Sequence, residues 1–171
     1  MNLNILQTLE YINSRLSNIE KNIAKLDEKV EFSIALQRNH LLRIKNGGFI
    51  DDNMILMGTP YNDINPKRAY QIWNNPDSDF FLLDVTSDTF NSDLRIDEAV
   101  HIPLEQLSRR YCELQSKTTP ILIISERGLR SIQASEMLVR KGFYNINNIS
   151  GGYEFWVGKN RRNQPKAGPV T

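Results

Sequence analysis

Apolar residues follow a heptad pattern through the first part of the chain. Large apolar side chains recur at alternating intervals of four and three residues, with polar and charged residues between them. The members of this seam are Ile5, Leu9, Ile12, Leu16, Ile19, Ile23, Leu26 and Val30. Such spacing predicts one long helix with a narrow apolar seam, typical of helices that associate with other helices. Because glycine first occurs in Asn46-Gly47-Gly48, the helix is predicted to cover residues 1–45.

Two interpretations of this seam are open. The helix either folds back on its own domain or forms a coiled coil with further copies of the chain, and the narrow seam favours the homo-oligomer. The oligomer number stays open from dimer to tetramer, because successive heptads favour different numbers of strands. After Val30 the register slips, and a broader apolar face is expected to pack on the domain. Its members are Phe32, Ile34, Leu36, Leu41, Leu42 and Ile44.

Short apolar runs and amphipathic segments alternate in the rest of the chain. After a linker over residues 46–61, strands are predicted at 80–85, 120–124 and 144–149, and helices at 66–73, 103–114 and 131–141. Strands that alternate with helices of this length form parallel sheets covered on both faces. The predicted fold is therefore α/β, a three-layer sandwich over residues 62–157 behind a long helix. Residues 158–171 are predicted to be a basic, disordered tail.

Composition and charge narrow the possible partners. Apolar residues make up 40% of the chain and the formal net charge is +1, which argues against a nucleic-acid or membrane surface. The sequence contains neither a membrane-spanning apolar run nor a signal-peptide pattern. Its one cysteine, Cys112, excludes an intrachain disulfide and fits a reducing cytoplasm. A cytoplasmic protein without metal or cofactor is expected.

The segment with the most chemical information follows the second predicted strand. It reads Ser125-Glu126-Arg127-Gly128-Leu129-Arg130-Ser131 and opens a helix. A tight loop at this place directs backbone N–H groups into one concavity at the positive end of the helix dipole. Arg127 and Arg130 add positive charge. We therefore predict an anion-binding loop that receives a small anion or a protein partner.

This loop resembles the active loop of rhodanese-type sulfurtransferases, C-x-x-G-x-R-S, in its spacing. Other segments resemble motifs of that family in the family order: Leu83-Asp84-Val85, Ile96 to Ala99, His101-Ile102-Pro103-Leu104, Lys141-Gly142-Phe143, and Gly151-Gly152 with Trp156. The resemblance covers about residues 62–157 and implies a rhodanese-like fold. Asp84 and Arg130 both match the family, and we predict a structural ion pair between them.

The resemblance places Ser125 where the family has its nucleophilic cysteine. A serine hydroxyl is a poor nucleophile without an adjacent base, and its oxygen cannot form the persulfide that carries sulfur in this family. The predicted function is therefore a non-catalytic binding or regulatory module with a self-associating helical arm. One alternative is an active sulfurtransferase that uses Cys112, on a predicted flanking helix, or a cysteine of a partner. Another is a structural protein whose function lies in the N-terminal helix alone.

Overall fold

A single helix forms the N-terminal part of the molecule. The structure is a computed structural model that describes residues 2–114 and 116–158. The predicted long helix is confirmed as α1, Asn2–Lys45. It ends before Gly47, whose φ of +74° lies in the left-handed region that glycine enters without steric cost. A short helix, α2, Asp52–Met57, lies in the segment that was predicted to be a linker.

One parallel sheet of five strands forms the centre of the domain. Its strands are β1 (Asn62–Ile64), β2 (Phe81–Asp84), β3 (Val100–His101), β4 (Ile121–Ile124) and β5 (Ile146–Ile149), in the order β1-β5-β4-β2-β3. All four pairs of neighbouring strands are parallel. The predicted α/β fold is confirmed. The sequence pattern missed β1 and β3, since edge strands of three and two residues are too short to show a period.

Helices cover both faces of the sheet, and strand alternation decides which side chain meets which helix. The helices are α3 (Pro66–Trp73), α4 (Leu104–Arg110) and α5 (Leu129–Arg140). Leu82 and Leu122 pack with Trp73 of α3 on one face. Their neighbours Leu83 and Ile123 pack with Leu138 of α5 on the other face. Successive residues of a strand point to opposite faces, so the core has two halves separated by the sheet.

The end of α1 packs on the domain through a face that differs from the predicted one. Phe32 and Leu36 are partly buried, as expected. Four other residues assigned to that face are exposed instead, so this part of the prediction is wrong: Ile34, Leu41, Leu42 and Ile44. The helix turns its residues at 100° intervals, and in its last two turns the polar residues Asn39 and Arg43 occupy the positions that face the domain.

Asn39 and Arg43 make this polar contact, and both are buried. The Asn39 side chain donates a hydrogen bond to the Phe143 carbonyl at 2.9 Å. The Arg43 guanidinium donates to the carbonyls of Tyr144 and Ile146 at 3.3 and 3.1 Å. Backbone carbonyls at the start of β5 need donors once they are buried, and α1 supplies them.

Two further predictions concerned membrane-spanning segments and the C-terminal tail. Within residues 2–114 and 116–158, no helix is both long and apolar enough to cross a membrane. The tail predicted over 158–171 lies, except for Gly158, outside the described residues.

Candidate functional site

The loop between β4 and α5 lies at the carboxyl end of the sheet, next to the Gly151-Gly152 turn. Every residue of β4 is buried, and Ser125, which follows it, is 0% exposed. Gly128 has a φ of +86° and precedes the first residue of α5. A Cβ at Gly128 would lie 2.7 Å from the Gly151 nitrogen, so the two backbones approach as closely as glycine permits. The segment therefore occupies the place that the sequence predicted.

Ser125 fills the centre of the loop with its own hydroxyl group. The N–H groups of Gly128 and Ser131 donate hydrogen bonds to Ser125 Oγ at 3.1 and 3.2 Å. The Ser125 hydroxyl in turn donates to Ser131 Oγ at 3.2 Å, and Ser131 donates to the Gly128 carbonyl at 2.9 Å. A hydroxyl group has one donor and two acceptor sites. Ser125 uses all three within the loop, and its proton is directed at another hydroxyl rather than at a base.

Carboxylates neutralise both arginines of the loop. Arg130 donates two parallel hydrogen bonds to Glu105 at 2.8 and 2.6 Å, and it lies 3.6 Å from Glu126. Arg127 is 3.6 Å from Glu154. The Arg130 hydrogen bond lowers the pKa of Glu105 from 4.5 to about 2. This group of two guanidinium ions and three carboxylates has a formal charge of −1.

The predicted ion pair between Asp84 and Arg130 is wrong. The Asp84 carboxylate accepts hydrogen bonds from the Thr86 N–H at 2.8 Å and the Tyr153 hydroxyl at 2.9 Å. Its cationic neighbour is Arg95, at 3.7 Å. Strand alternation explains the difference, because Leu83 and Val85 face α5 and Asp84 therefore points to the opposite face of the sheet. Arg130 reaches only the backbone of this strand, at the Val85 carbonyl.

Sequence reasoning also missed a polar network behind the loop that follows β2. Arg95 donates to the Ser87 carbonyl at 2.9 Å and lies 3.2 Å from Nδ1 of His101. Nε2 of His101 donates to the Thr86 carbonyl at 3.0 Å. Burial, with the nearby Asp84 carboxylate, raises the pKa of Tyr153 well above its usual value. No periodic signal marks these residues, because they come from separate loops.

Glu126 joins this network to the loop between β4 and α5. Its carboxylate accepts a hydrogen bond from the Ser87 N–H at 2.7 Å. It therefore holds the loop after β2 against the loop after β4, at the carboxyl end of the two strands. The negative charge of Glu126, which follows Ser125 in the loop, is thus engaged with a backbone donor and a guanidinium ion.

Cys112 lies away from this loop. It is exposed, in a short 3₁₀ turn, Tyr111–Glu113, that follows α4. Leu114, two residues further along, lines a cavity with Phe81 and Ile121, which begin their strands. Ser125 follows the other end of β4, so the length of the strand, about 13 Å, separates the two sites. Among the described residues, no group of histidine, cysteine and acidic side chains is arranged to hold a metal ion.

A parallel five-stranded sheet with helices on both faces and a tight loop between its central strand, β4, and α5 places the domain in the α/β class. The family described as "Rhodanese-like domain" matches residues 65–159 of the sequence. The chain therefore belongs to the rhodanese-like family. Its relatives include the thiosulfate sulfurtransferase GlpE of Coxiella burnetii, which is 26% identical over 96 residues, or 56% of this chain and 87% of that protein. GlpE of Glaesserella parasuis is 24% identical over 101 residues, with 59% and 91% of the two chains covered.

Solved structures agree on the fold. The solution structure of the rhodanese-like domain of the Anabaena protein Alr3790 superposes with a TM-score of 0.52 at 20% identity, covering 64% of this chain and 87% of that domain. A rhodanese-like domain protein of Staphylococcus aureus gives a TM-score of 0.50 at 19% identity, with 59% and 94% covered. The family match over residues 65–159 leaves all of α1 outside it, so the helical arm is not part of the matched domain.

Proposed function

We propose that this protein is a non-catalytic member of the rhodanese-like family, a binding or regulatory module carried on a self-associating helix. The observation that supports this proposal is the environment of Ser125. Its oxygen is buried and fully hydrogen-bonded, and the resemblance places it where the family carries its cysteine. Without a thiol at this position, sulfur has no atom in the loop to which it can be transferred.

The charges around the loop favour a protein partner over a small anion. An anion placed here would meet the carboxylates of Glu105, Glu126 and Glu154, and both nearby guanidinium groups are already paired. Two of the backbone donors are also taken by Ser125 itself. In contrast, Leu129 at the start of α5 and Phe155 beside the Gly151 turn are exposed apolar side chains. Such residues gain more from burial in a protein interface than from contact with an anion.

The alternative, sulfur transfer through Cys112, has less support. This thiol is exposed, and Leu114, two residues further along, lines a cavity at the opposite end of β4 from the loop amides. Its one described polar contact is a long one, 3.8 Å, to the Arg109 carbonyl. A persulfide at Cys112 would therefore form outside the site that stabilises it in the family. The free cysteine is consistent with a cytoplasmic location, which we also propose.

A thiosulfate–cyanide assay tests the proposal on the full-length protein. Wild type, Ser125→Cys and Cys112→Ser are compared at equal concentration. We expect no thiocyanate from wild type and none from Cys112→Ser. Turnover by Ser125→Cys would show that the loop retains its donors and lacks only the nucleophile. Thiocyanate production by wild type that disappears in Cys112→Ser would replace our proposal with the alternative.

A thermal-shift measurement separates an anion site from a protein-binding surface. Thiosulfate, sulfate and phosphate are each added at about 10 mM, which is about one hundred times a Kd of about 0.1 mM. A ligand bound only to the folded state at that excess stabilises it by about 2.7 kcal/mol. We expect no anion-specific rise in Tm beyond that given by sodium chloride at the same ionic strength. A specific rise that Arg130→Gln abolishes would restore the anion site.

A further inference from the structure

The seam of α1 is uncovered in the folded chain. Its eight residues are between 45% exposed, at Ile12, and 60% exposed, at Leu26. Every described side chain from Asn4 to Glu31 is exposed. A monomer therefore leaves a continuous apolar strip in water over more than three heptads. Exposed strips of this kind on soluble proteins mark interaction sites.

The strip continues beyond Val30 on the side of α1 that faces away from the domain. Ile34 and Leu41 follow Ile23 and Val30 by eleven residues, which is close to three full helical turns. Leu41 is 67% exposed and lies about 200° around the helix from both Asn39 and Arg43, which hold the domain. The domain and the strip thus occupy opposite sides of one helix, and a partner along the strip does not meet the domain of the same chain.

The change of spacing after Val30 restricts how two such helices can align. The step from Val30 to Ile34 is four residues where the heptad requires three, and this irregularity locally unwinds a coiled coil. In a parallel, in-register pair each irregular step faces its own copy. In an antiparallel pair that overlaps over the whole strip, the step would face the regular heptads around Leu16 and Ile19. Only the parallel pair matches the two helices along their full length.

Flanking charges favour the same alignment. With Leu9 and Leu16 at a positions, Arg15 occupies g and Glu20 occupies e, so a parallel pair forms this contact twice. Across an antiparallel pair e positions meet e positions. Overlap of the whole strip would then place Glu20 of one helix against Asp27 of the other, twice, and these like charges repel.

We infer that α1 binds a second copy of this chain in a parallel, in-register coiled coil along Ile5–Ile44, with the two domains at the same end and on outer sides. This inference rests on the self-association in the proposed function and adds its direction. In this pair the Arg43 residues of the two helices lie on its outer sides, and each holds the domain of its own chain.

Cysteine cross-linking of the full chain tests the direction. In a Cys112→Ser background, Leu9→Cys and Leu26→Cys proteins are oxidised separately and then as a mixture. A parallel pair gives disulfide-linked dimers from each protein alone. The antiparallel pair with complete overlap of the heptads places Leu9 opposite Leu26, and it gives dimers only in the mixture. The antiparallel pair that overlaps over the whole strip places Leu9 opposite His40, and Leu9→Cys alone then gives no dimer. Ser17→Cys, on the outside of the helix, is the control and is expected to cross-link at least tenfold more slowly.

Charge reversal supplies an independent measurement. Arg15→Glu and Glu20→Arg are each expected to raise the dimer Kd about tenfold at low salt, because two attractive pairs become repulsive. The double variant is expected to return to the wild-type Kd. In the antiparallel pair with complete heptad overlap these residues face asparagines, so the double variant would show no rescue, and that result overturns the inference.

Light scattering distinguishes failure of the direction from failure of self-association. Wild type is expected at twice the chain mass, and Ile19→Asp at the mass of one chain, with Ser17→Asp unchanged. A wild-type monomer at micromolar concentration would refute both the self-association and the parallel pair. A dimer in which Leu9→Cys alone does not cross-link would refute the direction alone.

Discussion

Replacement of Arg43 by methionine tests how the helical arm is fixed to the domain. Methionine keeps most of the apolar stem and removes the guanidinium group, which is buried with only 4% of the residue exposed. The described partners of that group are backbone carbonyls and the Met54 sulfur. Burial of this group lowers the pKa of Arg43, because burial disfavours the charged form.

Two opposing contributions determine how much Arg43→Met changes the free energy of unfolding. The substitution leaves the buried carbonyls of Tyr144 and Ile146 without their donors, at about 1–3 kcal/mol each. Removal of the desolvation penalty of a buried charge offsets part of this loss. We expect Arg43→Met to lower the free energy of unfolding by about 2 kcal/mol, which corresponds to about 4–8 °C in Tm for a chain of this size.

Urea unfolding followed by circular dichroism and tryptophan fluorescence measures the effect. All variants are compared at one protein concentration, since the proposed self-association would make apparent stability depend on concentration. Arg38→Met is the control, because Arg38 is an exposed arginine on the same helix; we expect a change within about 0.5 kcal/mol. If Arg43→Met matched this control, the buried contact would contribute nothing to the attachment of α1.

Two further predictions concern the loop and its surroundings. Gly152→Ala would place a Cβ against the Ser125 carbonyl oxygen at a φ of +57°, whereas the Cβ of Gly47→Ala, at a φ of +74°, would meet no atom within 4 Å. We expect urea unfolding to show that Gly152→Ala lowers the free energy of unfolding by about 3 kcal/mol and Gly47→Ala by about 1 kcal/mol. Equal losses would refute the close approach of the Gly151-Gly152 turn to the loop. Because Arg130 lowers the pKa of Glu105 to about 2, this pair contributes stability that is complete above pH 4.5 and lost as the pH falls toward 2. Glu105 is exposed, so the pair contributes less than about 1 kcal/mol to the free energy of unfolding. We expect Glu105→Gln to flatten the dependence of the unfolding free energy on pH over this range. Glu113→Gln, which removes a second carboxylate that is paired with an arginine, serves for comparison.

The sequence pattern predicted those helices and strands whose surroundings stay the same along their whole length. α1 has one apolar seam over many heptads, and β2 and β4 lie in apolar runs in the interior of the sheet, so a period or a run length identifies each of them. The place of the 125–131 loop followed from the same elements, because a strand that leads directly into a helix leaves its connecting loop at the carboxyl end of the sheet.

The contacts that the pattern missed depend on which face a residue occupies in three dimensions. Asp84 and Arg130 agree with the family motif, but they point to opposite faces of the sheet, so each pairs with another partner. Asn39 and Arg43 are polar residues in a helix with an apolar seam, a combination that usually indicates a solvated face. Only the position of the loop before β5 makes that face a buried one.

The attachment of α1 determines what an oligomer of this protein can do. The helix is unbroken from the seam to the residues that contact the domain, so no hinge within it separates association from the position of the loop. In a parallel pair both 125–131 loops would therefore be held at fixed positions on the two outer sides of one coil. A partner with two matching surfaces would then bind with an effective concentration set by this geometry rather than by a flexible linker. Variants of Arg43 that loosen the attachment should weaken binding of a bivalent partner while leaving a monovalent one unaffected.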